Sequence, residues 1–105
     1  AEAQALLKAV RRTAMTRFTI TDLAGLREAL DTARAQGYAL NNQEAFIGDI
    51  SVAAPLLDRR GHPLGAVNIA LPSPLWQMDE VLHRLVPQLL LQKVRLLRVK
   101  NKIEL

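Results

Sequence analysis

Apolar positions recur at helical intervals at both ends of this chain and alternate in its middle. Over residues 1–12, Ala3, Leu6, Leu7 and Val10 share one helical face among good helix formers, which predicts a first helix. Residues 13–22, TAMTRFTITD, break that pattern with threonines and read as a loop or short extended link. Thr21 or Asp22 can then cap a second helix, whose stripe is Leu23, Leu26, Ala29, Leu30 and Ala33. Gly37 ends it as a left-handed residue would. A short strand in YALNNQEAF runs into a polar turn. After the proline-broken loop PSPLWQMD, a long helix from Met78 to Val99 carries Leu82, Leu85, Val86, Leu89, Val94, Leu96 and Leu97. Pro87 lies inside it and removes a backbone donor, so a kink or break is expected there.

Between these helices, residues 48–72 read as two strands joined by a tight turn. Asp58 and Gly61 suit the first and last places of a type I turn over DRRG. With those four residues as the loop, Leu57 faces His62, Ser51 faces Asn68 and Asp49 faces Ala70. Side chains alternate along a strand. One side of the hairpin then carries Ile50, Val52, Ala54, Leu56, Gly65, Val67, Ile69 and Leu71, and must pack against helices. The other carries Asp49, Ser51, Ala53, Pro55, Leu64, Ala66, Asn68 and Ala70. Two readings of this small, partly polar side stay open. It meets water, as one side of an antiparallel sheet often does. Or it lines a cavity with Ser51 and Asn68 aimed at a ligand, since a buried polar group without a partner costs roughly 1–3 kcal/mol. The alanines stand where a water-facing strand usually carries Lys, Glu, Thr or Arg.

Bulk properties narrow the classes. A chain of 105 residues is one domain at most, and 50% hydrophobic residues suffice for a core. Only Phe18, Tyr38, Phe46 and Trp76 are aromatic, so that core is aliphatic. The absence of cysteine excludes disulfides and thiolate metal sites and fits a reducing cytoplasm. No apolar run approaches the roughly 18 residues of a membrane helix. No signal peptide is visible, and the chain begins at Ala1, as a piece of a longer protein would. The net charge of +4 sits at one end. Residues 1–90 hold nine basic and nine acidic side chains, whereas Lys93, Arg95, Arg98, Lys100 and Lys102 face only Glu104. Such a tail reads first as a solvated last turn whose cations offset the helix dipole, and second as a contact for nucleic acid or an acidic partner.

Candidate chemistry is sparse. His62 lies in the turn and His83 on the last helix, and neither has a spaced partner that would make a metal site. Ser51 and Ser73 lie in no nucleophile motif, and the five glycines form no phosphate-cradling loop. No metal, no cofactor and no enzymatic activity are expected.

The run LREALDTARAQGYALNNQEAFIGDISVAAPLLDRRGHPLGAVNIALP resembles the C-terminal effector-binding domain of the isocitrate-lyase-regulator (IclR) family of bacterial transcription factors. What carries the resemblance is the order of its parts: a helix ending in AQGYA, an amide-rich turn, a Gly, a strand ending in AAP, a D…G turn, and a strand ending before Pro. It covers roughly residues 13–98. FTITDLAGLREAL and FIGDISVAAPLLD look most like the branch that regulates aromatic-acid catabolism through the β-ketoadipate pathway.

The resemblance implies an α+β, GAF-like fold: a curved antiparallel sheet, about three strands of it in this chain, with helices on one side, a ligand pocket on the other and a long C-terminal helix. It implies a DNA-binding regulator that senses a small organic acid of the protocatechuate, 4-hydroxybenzoate or β-ketoadipate class. It also implies a homo-oligomer, dimer or tetramer, that touches DNA only through an N-terminal winged-helix domain. Residues 1–105 would be the C-terminal part of the effector domain, with that DNA-binding domain and the first part of the effector domain absent. Ligand-contact positions carried over from the family are Asn41, Asp49, Ser51, Asn68 and Ala70. Relatives often hold an acidic run where this chain has Asn41, Asn42, Gln43 and Glu44. Amides remove repulsion toward an anion and can donate to it. Ala70 stands where relatives place a hydroxyl, and Asp49 suits an anionic ligand only by accepting from a ligand hydroxyl or by turning away. The rival reading is an oligomerisation module that binds no ligand, with the Leu82, Leu85, Leu89 and Leu96 stripe as its contact.

Overall fold

Three antiparallel strands form one sheet in sequence order: β1 (Ala39–Asn42), β2 (Asp49–Leu57) and β3 (Pro63–Pro72). The computed structural model describes residues 2–103, and the side chains of residues 2–73 and 75–99. Helices α1 (Glu2–Ala9) and α2 (Leu23–Gln36) precede the sheet. A helical run follows it: α3 (Met78–Glu80), a π turn (Val81–Leu85) and α4 (Val86–Ile103). The fold is α+β, with a three-stranded antiparallel sheet and a long C-terminal helix, as expected.

Local chemistry sets the element ends. The Asp22 carboxylate accepts the Gly25 N–H at 2.7 Å and so caps α2. Gly37 closes that helix at φ 88°, and its N–H donates to the Ala33 carbonyl at 2.9 Å. Helix α1 stops at Ala9, short of the expected Arg12. The Arg12 guanidinium takes over the end of the helix, donating to the carbonyls of Leu7 (2.6 Å) and Thr21 (2.8 Å). Pro87 causes no break. The winding relaxes one turn earlier, where the Val86 N–H donates five residues back to the Val81 carbonyl. An α turn would ask Pro87 for an N–H it lacks and press its ring on the His83 carbonyl, and the wider turn avoids both.

Among the described residues, seven make the core: Ile50, Val52 and Ala54 on β2, Leu71 on β3, and Val81, Val86 and Leu89 on the helical run. The run therefore covers the apolar side of the sheet. Full burial of side chains such as Val52 and Leu89 stabilises by about 1.5–3 kcal/mol each. Neither α1 nor α2 has a buried residue. Of the α2 stripe, Leu23, Leu26 and Ala33 are half-buried, and Ala29 and Leu30 are exposed. On the last helix Leu89 is buried, while Leu82 and Leu96 are exposed. The molecule is a flat layer of 47 × 37 × 19 Å, and its radius of gyration is 15.3 Å. A compact chain of this length would have about 13 Å. In the basic tail Lys93 is half-buried and Arg95 and Arg98 are exposed, whereas the Lys100, Lys102 and Glu104 side chains lie outside the described residues.

Candidate functional site

The hairpin turn determines which side chains share a face. Residues 58–61 form the expected type I turn: the Gly61 N–H donates to the Asp58 carbonyl at 3.0 Å. The Asp58 carboxylate accepts the N–H groups of Arg60 (2.8 Å) and His62 (2.9 Å). Gly61 has φ 82°, a left-handed geometry that a Cβ would strain. That residue lets the Asp58 N–H reach the His62 carbonyl at 2.9 Å, so the loop between paired residues is three long.

The pairing therefore differs from the expected one. Leu57 faces Pro63 rather than His62, and between Leu57 and Leu56 the register shifts again, since Leu56 faces Gly65. Leu64 is the extra, bulged residue. Ser51 consequently faces Ala70, and Asn68 faces Ala53. Asp49 faces Pro72 instead of Ala70, and Pro55 faces Ala66 instead of Leu64. Each shift of one residue alone would send β3 side chains to the other side of the sheet. Two shifts restore the parity, so Ser51 and Asn68 still share a face, as diagonal neighbours rather than a direct pair.

Strand β1 extends that face. Asn41 pairs with Ser51 and Ala39 with Ala53. Asn41, Ser51 and Ala70 thus form a row across all three strands, and Ala39, Ala53 and Asn68 form the next. Asp49 lies one step beyond Ser51 on β2. All five carried-over positions, Asn41, Asp49, Ser51, Asn68 and Ala70, occupy one side of the sheet. Pro55, which offers no N–H, lies past the end of β1, whose first residue pairs with Ala53. The opposite side holds Ile50, Val52, Ala54 and Leu71, all buried. The polar side is open: Asn41, Asp49 and Ser51 are half-buried, and Asn68 and Ala70 are exposed. Among the described residues it is a platform, not an enclosed cavity. A groove of about 770 Å³ lies elsewhere, between α1, α2, β1 and Leu82, lined mainly by apolar side chains such as Leu7, Ile20, Leu26 and Leu40.

The β1–β2 turn is held by contacts that the sequence pattern does not show. The Asn41 side-chain oxygen accepts the Glu44 N–H at 2.9 Å. Gln43 adopts φ 60°, unusual outside glycine, and its side-chain oxygen accepts the Gly48 N–H at 3.0 Å. The Thr-rich segment, expected only as a link, packs on this turn. Thr16 donates its hydroxyl to the Gln43 carbonyl at 2.6 Å, and Thr19 donates to the Glu44 carbonyl. The Thr19 hydroxyl also accepts the N–H groups of Met15 (3.0 Å) and Thr16 (2.9 Å). Thr16, Thr19 and Gln43 therefore position Asn41. Their only trace in the sequence is a cluster of hydroxyls beside a strand that ends in amides.

No group of His, Asp or Glu among the described residues could hold a metal ion. His83 is exposed, and its Nδ1 donates to the Asp79 carbonyl at 2.8 Å, so it serves its own helix. His62 is exposed in the turn, 3.5 Å from the Asp58 carboxylate. No helix of the described residues is long and apolar enough to cross a membrane.

The sheet thus has helices on one side and a small polar platform on the other. Residues 1–94 match the family of bacterial transcriptional regulator IclR C-terminal domains, and the chain belongs to that family. It is 43% identical over 61 residues to the glycerol operon regulatory protein of Streptomyces griseus, covering 58% of this chain and 24% of that one. It is 33% identical over 72 residues to the p-hydroxybenzoate hydroxylase transcriptional activator of Acinetobacter baylyi, covering 65% and 27%. The C-terminal domain of the E. coli transcriptional regulator KdgR superposes with a TM-score of 0.77 at 32% identity, over 88% of this chain and 56% of that one. The double mutant of the PobR inducer-binding domain from Acinetobacter, in complex with 3-hydroxybenzoic acid, superposes at 0.75 with 26% identity, over 89% and 60%. The chain spans about a quarter of the length of the curated relatives it matches. These relatives are transcriptional regulators, not enzymes. Their names range from glycerol to p-hydroxybenzoate, so they do not confine the chain to the aromatic-acid branch.

Proposed function

We propose that this chain senses a small organic acid for a cytoplasmic, DNA-binding regulator of aromatic-acid catabolism, in the manner of the β-ketoadipate branch. The observation that carries this reading is the gathering of Asn41, Asp49, Ser51, Asn68 and Ala70 on one face of the sheet. Neutral donors from Asn41, Ser51 and Asn68 stand beside flat alanines, a surface suited to an aromatic ring with polar ends. The p-hydroxybenzoate regulator among the relatives, and the hydroxybenzoic acid in the PobR complex, support an effector of the protocatechuate, 4-hydroxybenzoate or β-ketoadipate class. DNA contact belongs to an N-terminal winged-helix domain of the full-length protein, with residues 1–105 as the C-terminal part of the effector domain.

Effector binding regulates only if the effector binds two assembly states with different affinity. We place that equilibrium in a homo-oligomer, dimer or tetramer. A thermal-shift screen of aromatic and dicarboxylic acids on the full-length protein tests the reading, with calorimetry on Asn68→Leu. Binding of an acid by the wild type and its loss in a folded Asn68→Leu protein is the expected result. Unchanged affinity in the variant contradicts the site.

The second reading, an oligomerisation module without a ligand, draws on the last helix. Leu91, Val94, Leu96 and Val99 are 44–54% exposed there. A crystal soaked with ligand separates the two: density beside Ser51 and Asn68 favours sensing, and a protein side chain filling that space favours packing.

A further inference from the structure

We infer that residues 2–36 open from the sheet as one unit while the rest of the domain stays folded, and that the hydroxyls of Thr16 and Thr19 are the latch that holds them shut. The device needs no ligand, so it stands apart from the effector reading above. Its first ground is the distribution of burial. Among the described residues, the seven core side chains and the half-buried ones packed on them, such as Tyr38, Leu40, Trp76 and Leu85, all lie between residues 38 and 90. Residues 2–36 contribute none. The seam between the two parts is also under-packed. Helix α1 packs on α2, and α2 on β1. Yet the groove of about 770 Å³ runs along that contact, with Leu7, Ile20 and Leu26 from one part and Leu40 and Leu82 from the other. A close-packed interior holds few voids larger than a water molecule, so this contact gives up much of the dispersion energy of a filled seam. Local opening favours regions with so few buried apolar contacts.

Polar contacts hold the seam instead. Among the described residues no ion pair crosses it. The Thr16 hydroxyl donates to the Gln43 carbonyl at 2.6 Å, and the Thr19 hydroxyl donates to the Glu44 carbonyl. A further side-chain bond, from the Gln36 amide to the Tyr38 carbonyl at 2.9 Å, lies at the hinge itself. Between those two residues Gly37 has φ 88°, and a glycine takes up a change of backbone direction at little steric cost. The unit is thus hinged at Gly37 and latched at the β1–β2 turn. The latched carbonyls belong to the turn whose Glu44 N–H orients Asn41, so opening the unit loosens the β1 end of the polar face.

The test is native-state hydrogen exchange on the full-length protein, read across low urea concentrations where closing outpaces exchange. The hydrogen-bonded amides of α1 and α2 should share one opening, roughly tenfold or more as frequent as that of the β2 amides. Its urea slope should be smaller, because it exposes less surface. Ile50→Val, a mild change in the core, should speed β2 exchange about two- to twelvefold and leave α2 exchange as in the wild type. Thr16→Val should speed α1 and α2 exchange by about the same factor, and Thr16→Ser should restore the wild-type rate. One opening with one urea slope for both α2 and β2 overturns the unit. So does α2 exchange with no urea slope at all, which is the fraying of single residues. Wild-type α2 exchange in Thr16→Val overturns the latch.

Discussion

The side-chain oxygen of Asn41 accepts the backbone N–H of Glu44 at 2.9 Å, which ties the end of β1 to the turn that follows. Because a backbone N–H can only donate, this contact fixes the amide with its nitrogen away from Glu44. Asn41→Leu leaves that half-buried N–H without a partner and should destabilise by about 1–3 kcal/mol. Asn41→Asp keeps the acceptor and should cost less than half as much in urea unfolding. Equal losses for the two variants would show that the contact contributes little.

Thr19 should matter more than its place in an irregular segment suggests. Its hydroxyl accepts from Met15 and Thr16 and donates to the Glu44 carbonyl, joining the α1–α2 segment to the β1–β2 turn. Thr19→Val removes all three contacts with little change in shape. Each is worth about 0.5–1.5 kcal/mol net, so a loss of about 2 kcal/mol is expected. Thr19→Ser keeps the hydroxyl and should stay near wild type. Amide hydrogen exchange over residues 43–48 should accelerate in the Val variant alone, and protection unchanged there would refute the clasp.

Gly25 sits in the first turn of α2, where helix propensity alone favours alanine by about 1 kcal/mol. A Cβ at this position would come within 2.9 Å of both the Asp22 carboxylate and the Ile20 methyl. Turning Asp22 aside relieves only its own share of that crowding, leaves the Ile20 methyl in place, and forfeits a cap worth about 0.5–2 kcal/mol. Gly25→Ala is therefore expected to be neutral or destabilising in the wild type. In an Asp22→Ala background, where the cap is already lost, the same change should cost less or stabilise. A double-mutant cycle reads this coupling directly.

How far the sequence could be read depends on the range of the interaction involved. The Asp22 cap, the left-handed Gly37, the type I turn at Asp58–Gly61 and the two-faced hairpin all follow from residues within a few positions of each other. Alternation placed Ile50, Val52 and Ala54 in the core and Ser51 outside it without any knowledge of the partner strand. The register was not legible, because Leu64 is an ordinary strand residue whose bulge depends on a three-residue loop closing first. Nor was the Thr16 and Thr19 clasp, which joins residues more than 20 positions apart. Pro87 signalled a disturbance in the last helix, but not that the π turn at Val81–Leu85 would absorb it. For the site, the shared face of Asp49, Ser51, Asn68 and Ala70 was legible, whereas the place of Asn41 beside Ser51 needed the β1–β2 pairing and the orientation of its amide needed the turn.

The parity of the hairpin is fixed by the pairs on both sides of Leu64, and this can be tested without any ligand. Deleting Leu64 removes the bulge but leaves Leu57 opposite Pro63 and Leu56 opposite Gly65, so every later pair and the face of each side chain are kept. Leu64 is 45% exposed, so both the deletion and Leu64→Ala should lose no more than about 1 kcal/mol. Inserting one alanine between Leu64 and Gly65 leaves β3 two options. It can keep the turn and the one-residue bulge, in which case Val67, Ile69 and Leu71 rotate outward and Asn68 turns to the side of Ile50, Val52 and Ala54. Or it can keep the register and absorb the extra residue at the turn, disturbing the Asp58 contacts and the left-handed place of Gly61. Exposing Leu71 and burying an unpartnered amide together cost several kcal/mol, a large share of what a domain of this size has. Thermal melts followed by Trp76 fluorescence should show a cooperative transition near wild type for the deletion and a clearly lower one for the insertion. An insertion variant that melts with the wild type would mean that β3 finds its register from the core alone, and that the turn adjusts to the packing rather than guiding it.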